Sequence, residues 1–449
     1  MELFWEINST VNSWVWGWPM VILLAFTGVF LTVGLAFMPW RELSNALKIT
    51  FGKDSDKTSS KNGIAPRKAL FTALSATVGT GNIAGVATAI YVGGPGALFY
   101  MWVIAAFGMA TKYAEAVLAV EYREKNENGD WVGGPMYYIR KGVDDMIPGL
   151  GKVLGVAFAF FGAFTAFGIG NGVQVNSIAG AMDSTFGVSG TTTGIIVALL
   201  AGAVILGGIR RISEVAGKLV PTMIVLYLVT GTIVLVTFAD NIPAAFGMIF
   251  KGAFGLDAAA GGAVGTAILM GFKRGIFSNE AGLGSAAIAH AAADTNNPVR
   301  QGMIGMVGVF IDTIVVCTFT GLIILVSGIY APGNGVNGAA LTAQSFAAAF
   351  SGGDAIVSIA LALFAFTTIL GWGYYGEKCF EYLTKNSAAV NLYRLAYVVF
   401  IFFAATFTLD QVWSLADTLN GLMAVPNLIG LLVLSPVLFK LTKKLKSKV

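Results

Sequence analysis

"GFKRGIFSNEAGLGSA", residues 271–286, decides how this chain folds. It sets Lys273, Arg274 and Glu280 among four glycines, Gly271, Gly275, Gly282 and Gly284. On one side runs AVGTAILM (263–270) and on the other AIAHAAA (287–293). A charge at the centre of a bilayer costs about 2.5–3.5 kcal/mol on insertion scales, so each needs a partner or water. Glycine weakens helix there too. The stretch reads as a membrane span broken at Gly271 to Gly275 and again around Gly282 and Gly284.

The rest of the chain supports a membrane setting. Of 449 residues, 56% are hydrophobic and only 12% charged, against roughly a quarter charged in soluble domains. The two cysteines, Cys317 and Cys379, form neither a disulfide framework nor a zinc site. His290 is the single histidine, which leaves metal clusters and His-based triads little to work with. No GxxxxGK[ST] phosphate loop is present, which argues against ATP-driven pumping. The first apolar run is long and lacks a basic segment before it, so it reads as a retained span.

A crossing helix takes about 20 mostly apolar residues. Eleven candidates follow, near 16–38, 69–93, 96–120, 152–181, 191–208, 215–239, 261–291, 301–330, 354–376, 390–408 and 415–439, and they are numbered here as spans one to eleven. Backbone groups in lipid must bond internally, so the spans are helices. Apart from Lys112, Lys251, Lys273 and Arg274, every basic residue falls in alternate loops or the C-terminal tail. That alternation predicts an N-terminus outside and a C-terminus in the cytoplasm of a cell-membrane protein.

A second interruption stands in span two, "LFTALSATVGTGNIAGVATAIYVGG", at Gly79, Thr80, Gly81 and Asn82. Any one glycine could serve helix packing alone. Two polar, glycine-rich breaks five spans apart suggest inverted five-span repeats, and such breaks mark the binding site of secondary transporters. The predicted fold is all-α: eleven transmembrane helices, a five-plus-five inverted repeat with two discontinuous helices, and one extra helix at the N-terminus. The chain divides as 1–68 (extra helix and loop), 69–250 (repeat one) and 251–449 (repeat two and tail). Unwound backbone at mid-depth offers N–H groups to a carboxylate and carbonyls to an ammonium or hard cation.

"GTGNIAG" together with "RGIFSNEAGLGSA" resembles the alanine/glycine:cation symporter family of the amino acid–polyamine–cation superfamily. "VGTGN" also resembles the unwound "VGLGN" of the bacterial leucine transporter. The resemblance implies that backbone N–H groups around Gly79, Thr80 and Gly81 hold a substrate carboxylate, with Asn82 beside them. It implies that carbonyls near Phe272 and Gly275 receive the ammonium, while Ile276, Phe277 and Asn279 shape the pocket. It further places a sodium ion between span two and span nine, on carbonyls of Ser75, Val78 and Phe364 and hydroxyls of Thr367 and Thr368. Trp372 would cap the pocket.

In span four, Phe167, Asn171 and Gln174 are spaced four and three apart, which puts them on one helix face. They read either as site-lining residues or as polar glue between helices. Lys273, Arg274 and Glu280 are expected to form a structural or gating ion-pair group rather than a substrate contact, with Asp312 the buried countercharge of the basic residues. Lys112 and Glu115 are expected to pair locally near the end of span three and snorkel to the interface.

The function expected is sodium-coupled symport of alanine or glycine by alternating access. Its partners are the amino acid, the coupling Na+ and the lipid bilayer, with no nucleic acid, no obligate protein partner and no catalytic residue. The alternatives are proton coupling, a passive channel, or an intramembrane enzyme using "GVSG" (187–190). Nucleophile and histidine are poorly placed for the last of these, at opposite ends of their spans.

Overall fold

The computed structural model describes residues 2–58, 63–127, 129–255, 261–333, 335–406 and 409–445. Each of the eleven expected spans falls on a helix. Span one is Trp18–Gly34, span three Gly96–Glu121, span five Gly190–Ile205, span six Gly208–Thr237, span nine Gly353–Thr384, span ten Ser387–Ala404 and span eleven Leu409–Val433. By length and hydropathy, eight helical runs among the described residues can cross a membrane, or nine with the bent pair of span two. Gly190–Ile205, at 16 residues, is apolar but short. The chain is a multi-pass membrane protein.

Its outer helices are apolar on the face turned away from the protein. Ile196, Leu199, Val225, Val229 and Val236 of spans five and six are exposed, as side chains in contact with lipid should be. Span three is the reverse, buried nearly throughout, including its charged residues Lys112 and Glu115.

Four spans depart from a straight α-helix. Span two runs as Pro66–Thr77, leaves the helix at Val78 (φ −76°, ψ 92°), and resumes through a π-turn at Gly81–Gly85 and an α-helix at Val86–Gly93. Its halves are bent by 54°. Span four holds a π-segment, Ala166–Gly172, within Leu150–Phe186. Span eight holds another, Phe310–Cys317, within Pro298–Val326. Span seven runs as Gly261–Asn279 and restarts as Ser285–Ala291.

The break of span seven corrects the sequence expectation. Gly271 to Gly275 is continuous helix, so the carbonyls of Phe272 and Gly275 are not set free by a break. Both glycines serve close packing against span three. A Cβ on Gly271 would come within 2.5 Å of Ala97 O, and one on Gly275 within 2.7 Å of Ile104 Cγ2. The second expected break, around Gly282 and Gly284, is present: at 280–284 Glu280 (φ 56°), Gly282 (φ 94°) and Gly284 (φ 81°) adopt left-handed backbone.

Candidate substrate and cation site

The two breaks touch. A Cβ on Gly81 of span two would lie 3.1 Å from both Phe277 Cδ1 and Ser278 Cα of span seven. Only glycine permits backbone to approach so closely there. Phe277 and Ile276 are buried at this junction, as is Asn279 at the end of the helix.

Asp312 ties the junction together from the π-segment of span eight. Asn82 Nδ2 donates to Asp312 Oδ1 at 2.8 Å and to the Asp312 carbonyl at 3.2 Å. Ser278 Oγ and Thr313 Oγ1 each donate to Asp312 Oδ2 at 2.8 Å. Asn279 Nδ2 in turn donates to Thr313 Oγ1 at 3.1 Å. The other end of Asn82 stays local, its Oδ1 accepting from Gly79 N at 2.9 Å. One fully buried carboxylate therefore gathers side chains from both interrupted spans. Such a group keeps its place only with several hydrogen bonds.

This overturns the expected role of Asp312 as countercharge to the basic pair. Lys273 Nζ instead lies 2.9 Å from Asp417 Oδ2 of span eleven and 5.8 Å from the centre of the Trp16 ring. Arg274 lies over the Phe277 ring at 5.9 Å. Glu280 accepts from Trp372 Nε1 at 2.8 Å and from Ser285 Oγ at 2.5 Å. Trp372, expected as a pocket cap, is thus fastened to the span-seven break through its indole N–H.

The break of span two presents Thr80, whose buried hydroxyl has no hydrogen-bond partner among the described residues. Thr80 N donates to Gln174 Oε1 at a long 3.4 Å. Gln174 thus reaches the site, whereas Asn171 and Phe167 do not share its face. Asn171 Nδ2 donates to the Tyr397 carbonyl of span ten at 2.8 Å. Phe167 packs edge-on against Tyr393, Tyr397 and Phe400. The cause is the π-segment at 166–172, which carries an extra residue per turn and rotates the face that steps of four and three would share.

The expected sodium ligands are divided in the same way. Gly79 lies so close to Thr368 that an added Cβ would meet its Oγ1 at 2.4 Å. Ser75 abuts span nine where Gly371 allows it, 2.9 Å from a Cβ built there. Val78 stands at the point where the helix ends. Thr367 and Thr368 both donate to the Phe364 carbonyl, at 2.9 and 3.1 Å, as threonines in a helix commonly do. Thr367 Oγ1 also meets Met223 Sδ at 3.6 Å. Thr368 is therefore the hydroxyl brought to the break.

The expected local pair of Lys112 and Glu115 is present, at 3.8 Å, but the expected snorkelling is not. Neither reaches the interface; they are 3% and 0% exposed. Glu115 Oε1 accepts from the N–H groups of Gly282 and Gly284 at 2.9 and 3.0 Å, and from Asn427 Nδ2 at 2.9 Å. The missed signal is that a carboxylate three residues from a lysine, deep in an apolar helix, can face a partner helix as readily as the interface.

A larger cavity of about 660 Å³ opens away from this junction, walled by Glu124, Arg140, Arg210, Glu377, Glu381 and Arg394. Its walls are ion-paired: Arg140 to Glu124 at 2.9 Å, Arg394 to Glu377 at 2.7 Å and Arg210 to Asp130 at 3.8 Å. Around Glu124, burial is outweighed by Lys141 and Arg140, which hold its carboxyl below the usual range.

Residues 1–449 match the profile of the sodium:alanine symporter family. The chain is 56% identical over 442 residues to the sodium/alanine symporter AgcS of Methanococcus maripaludis, covering 98% of this chain and 97% of that one. It is 38% identical over 443 residues to the probable sodium/glutamine symporter GlnT of Bacillus subtilis, covering 98% and 91%. Among solved structures it resembles MhsT in complex with L-phenylalanine, with a TM-score of 0.59, 14% identity, and coverage of 85% of this chain and 98% of that one. At that identity the likeness shows the fold alone, and it agrees with the discontinuous-helix transporter fold expected from the sequence.

Proposed function

The chain belongs to the sodium:alanine symporter family, and from that premise we propose that it carries alanine, or an amino acid as small and neutral, together with sodium. The observation that carries this reading is the contact of the two broken spans at Gly81, Phe277 and Ser278. A zwitterion needs donors and acceptors at one place, and backbone released from helix supplies both. Thr80 offers an unpartnered hydroxyl there, with Gly79, Gly81 and Gln174 around it. Phe277, Ile276 and Asn279 form the facing wall. For sodium, the ligands would be the carbonyls of Ser75, Val78 and Phe364 and the hydroxyl of Thr368, which packs against Gly79 of the break. The Asp312 carboxylate adds a negative charge nearby that draws a cation to the same region. Sodium is cargo here, moved with the amino acid.

The charged cavity lies on the side that the basic loops assign to the cytoplasm, with the N-terminus outside. A neutral zwitterion adds no charge, so one sodium moves one elementary charge per cycle. That provides about 2.3 kcal/mol per 100 mV, enough for roughly 40-fold accumulation at about 1.4 kcal/mol per tenfold. Sodium and alanine tighten each other's binding by the same factor.

Uptake of radiolabelled alanine into proteoliposomes, under an inward sodium gradient, a proton gradient or neither, tests the proposal. Uptake driven by sodium alone is the expected result. Uptake driven by protons alone, or indifferent to both gradients, overturns sodium symport.

A further inference from the structure

The break of span seven is closed by the protein itself. Glu280, Gly282 and Gly284 hold left-handed backbone within five residues, and strained backbone persists only where its surroundings over-determine it. Trp372 and Ser285 hold the Glu280 side chain, and one carboxylate holds the two glycines. Glu115 Oε1 takes the N–H groups of Gly282 and Gly284, while Asn427 bridges that oxygen to the Gly282 carbonyl at 2.9 Å. Tyr138 donates its hydroxyl to Asn427 Oδ1 and fixes the amide.

The charge of Glu115 has one near countercharge. Lys112 Nζ stands 3.8 Å from Glu115 Oε2 and makes no hydrogen bond among the described residues. It opens on a cavity of about 10 Å³ lined also by Thr77, Asn279 and His290. That volume holds about one water and nothing larger. His290 Nδ1 is engaged by Gln301 at 2.9 Å, while its Nε2 has no partner among the described residues. The cavity thus lies behind both breaks, beside the last residues of each leading half-helix.

We propose that Glu115, charge-balanced by Lys112, is a positioning residue for substrate binding: it holds the span-seven break in its bent form before any ligand arrives. The N–H groups of Gly282 and Gly284 are committed to Glu115 and that of Ala281 to Asn279 Oδ1, so recognition of the substrate carboxylate falls to span two. Ser278 and Asn279, just ahead of the break, keep their bonds to Asp312 and Thr313 because the elbow behind them does not move. Pre-organisation of this kind raises affinity by removing an ordering cost from the binding step. The inference rests on the symport reading and deepens it.

The test measures sodium-dependent alanine binding and thermal unfolding of the purified full-length protein. Glu115→Gln keeps an acceptor oxygen and removes the charge; its alanine Kd is expected to rise about tenfold in the folded protein, with a lower unfolding temperature because Lys112 is left unpaired. Lys112→Met is expected to weaken binding as well. The double variant should bind no worse than Glu115→Gln, because neutrality is restored. A wild-type Kd in Glu115→Gln overturns the positioning role, and additive losses in the double variant overturn the charge balance. If the variants do not fold, hydrogen exchange on the wild type decides. Amides of residues 282–284 should exchange slowly with or without alanine, and fast exchange slowed only by alanine overturns the proposal. Wild-type protein that binds no alanine in sodium would instead sink the symport reading.

Discussion

The two interrupted spans solve the same problem in opposite ways. Each leaves the α-helix at mid-chain and must satisfy the backbone groups it releases. In span seven the Glu115 side chain from span three takes the N–H groups of Gly282 and Gly284, and Asn279 takes that of Ala281, so the break is finished as a structural element. In span two, Gly79 N turns to Asn82, Thr80 N makes only a long contact with Gln174, and the Thr80 hydroxyl stays unpartnered. One break is sealed and the other is left receptive. A pair of broken helices therefore need not be a pair of equivalent ligand sites.

Asp312 is the group on which this comparison can be broken most decisively. Its carboxylate joins the receptive break, through Asn82, to the end of span seven, through Ser278. Asp312→Asn preserves shape but turns one acceptor into a donor against Ser278 and Thr313. Hydrogen bonds to a charged group are worth about 1.5–3 kcal/mol, so sodium-driven alanine uptake should fall on the order of 100-fold. That exceeds the tenfold expected for Glu115→Gln at the sealed break. Equal losses in side-by-side transport assays would erase the distinction between the two.

Gly79→Ala sharpens it next. The new methyl group would stand 2.4 Å from Thr368 Oγ1, and threonine in a helix has little rotamer freedom to yield. Overpacking of this kind costs about 1–3 kcal/mol. The sodium concentration for half-maximal uptake should rise roughly tenfold or more, ahead of any change in alanine affinity at saturating sodium. A parallel change in both would remove Thr368 from the cation's surroundings.

Thr80→Val separates the breaks more finely. No partner of the Thr80 hydroxyl is lost in the folded protein, so unfolding temperature should be unchanged. If the hydroxyl meets the ligand, the alanine KM should rise about threefold to tenfold, the worth of an ordinary hydrogen bond. An unaltered KM would make the span-two break as closed as that of span seven.

Much of this was legible in the sequence, and the gaps have physical causes. Hydropathy placed a helix at every expected span, because backbone in a bilayer must bond internally. Gly79–Asn82 marked the first break correctly. Counting glycines misled at Gly271 and Gly275, since a glycine that admits a neighbouring helix looks the same in sequence as one that ends its own. Gly282 and Gly284 did mark the real break, but the positive φ that Glu280 shares with them is not announced by composition. The Glu115 cap joins residues 167 positions apart, beyond any local pattern.

Span four shows the same limit on a smaller scale, and it supplies the mildest prediction. A spacing of four and three places Phe167, Asn171 and Gln174 together only on a regular α-helix. The π-segment at 166–172 gives Gln174 to the receptive break and turns Asn171 to the Tyr397 carbonyl. Asn171→Ala should thus lower stability by about 1 kcal/mol, the value of one buried hydrogen bond, and leave the alanine KM of the folded protein unchanged. Gln174→Ala should raise KM a few-fold in addition to a similar loss of stability, since Gln174 Nε2 donates to the Ile169 carbonyl at 3.0 Å. If Asn171→Ala raised KM instead, the π-turn would not separate the two residues. Helical spacing would then have been the better guide to which side chains the substrate meets.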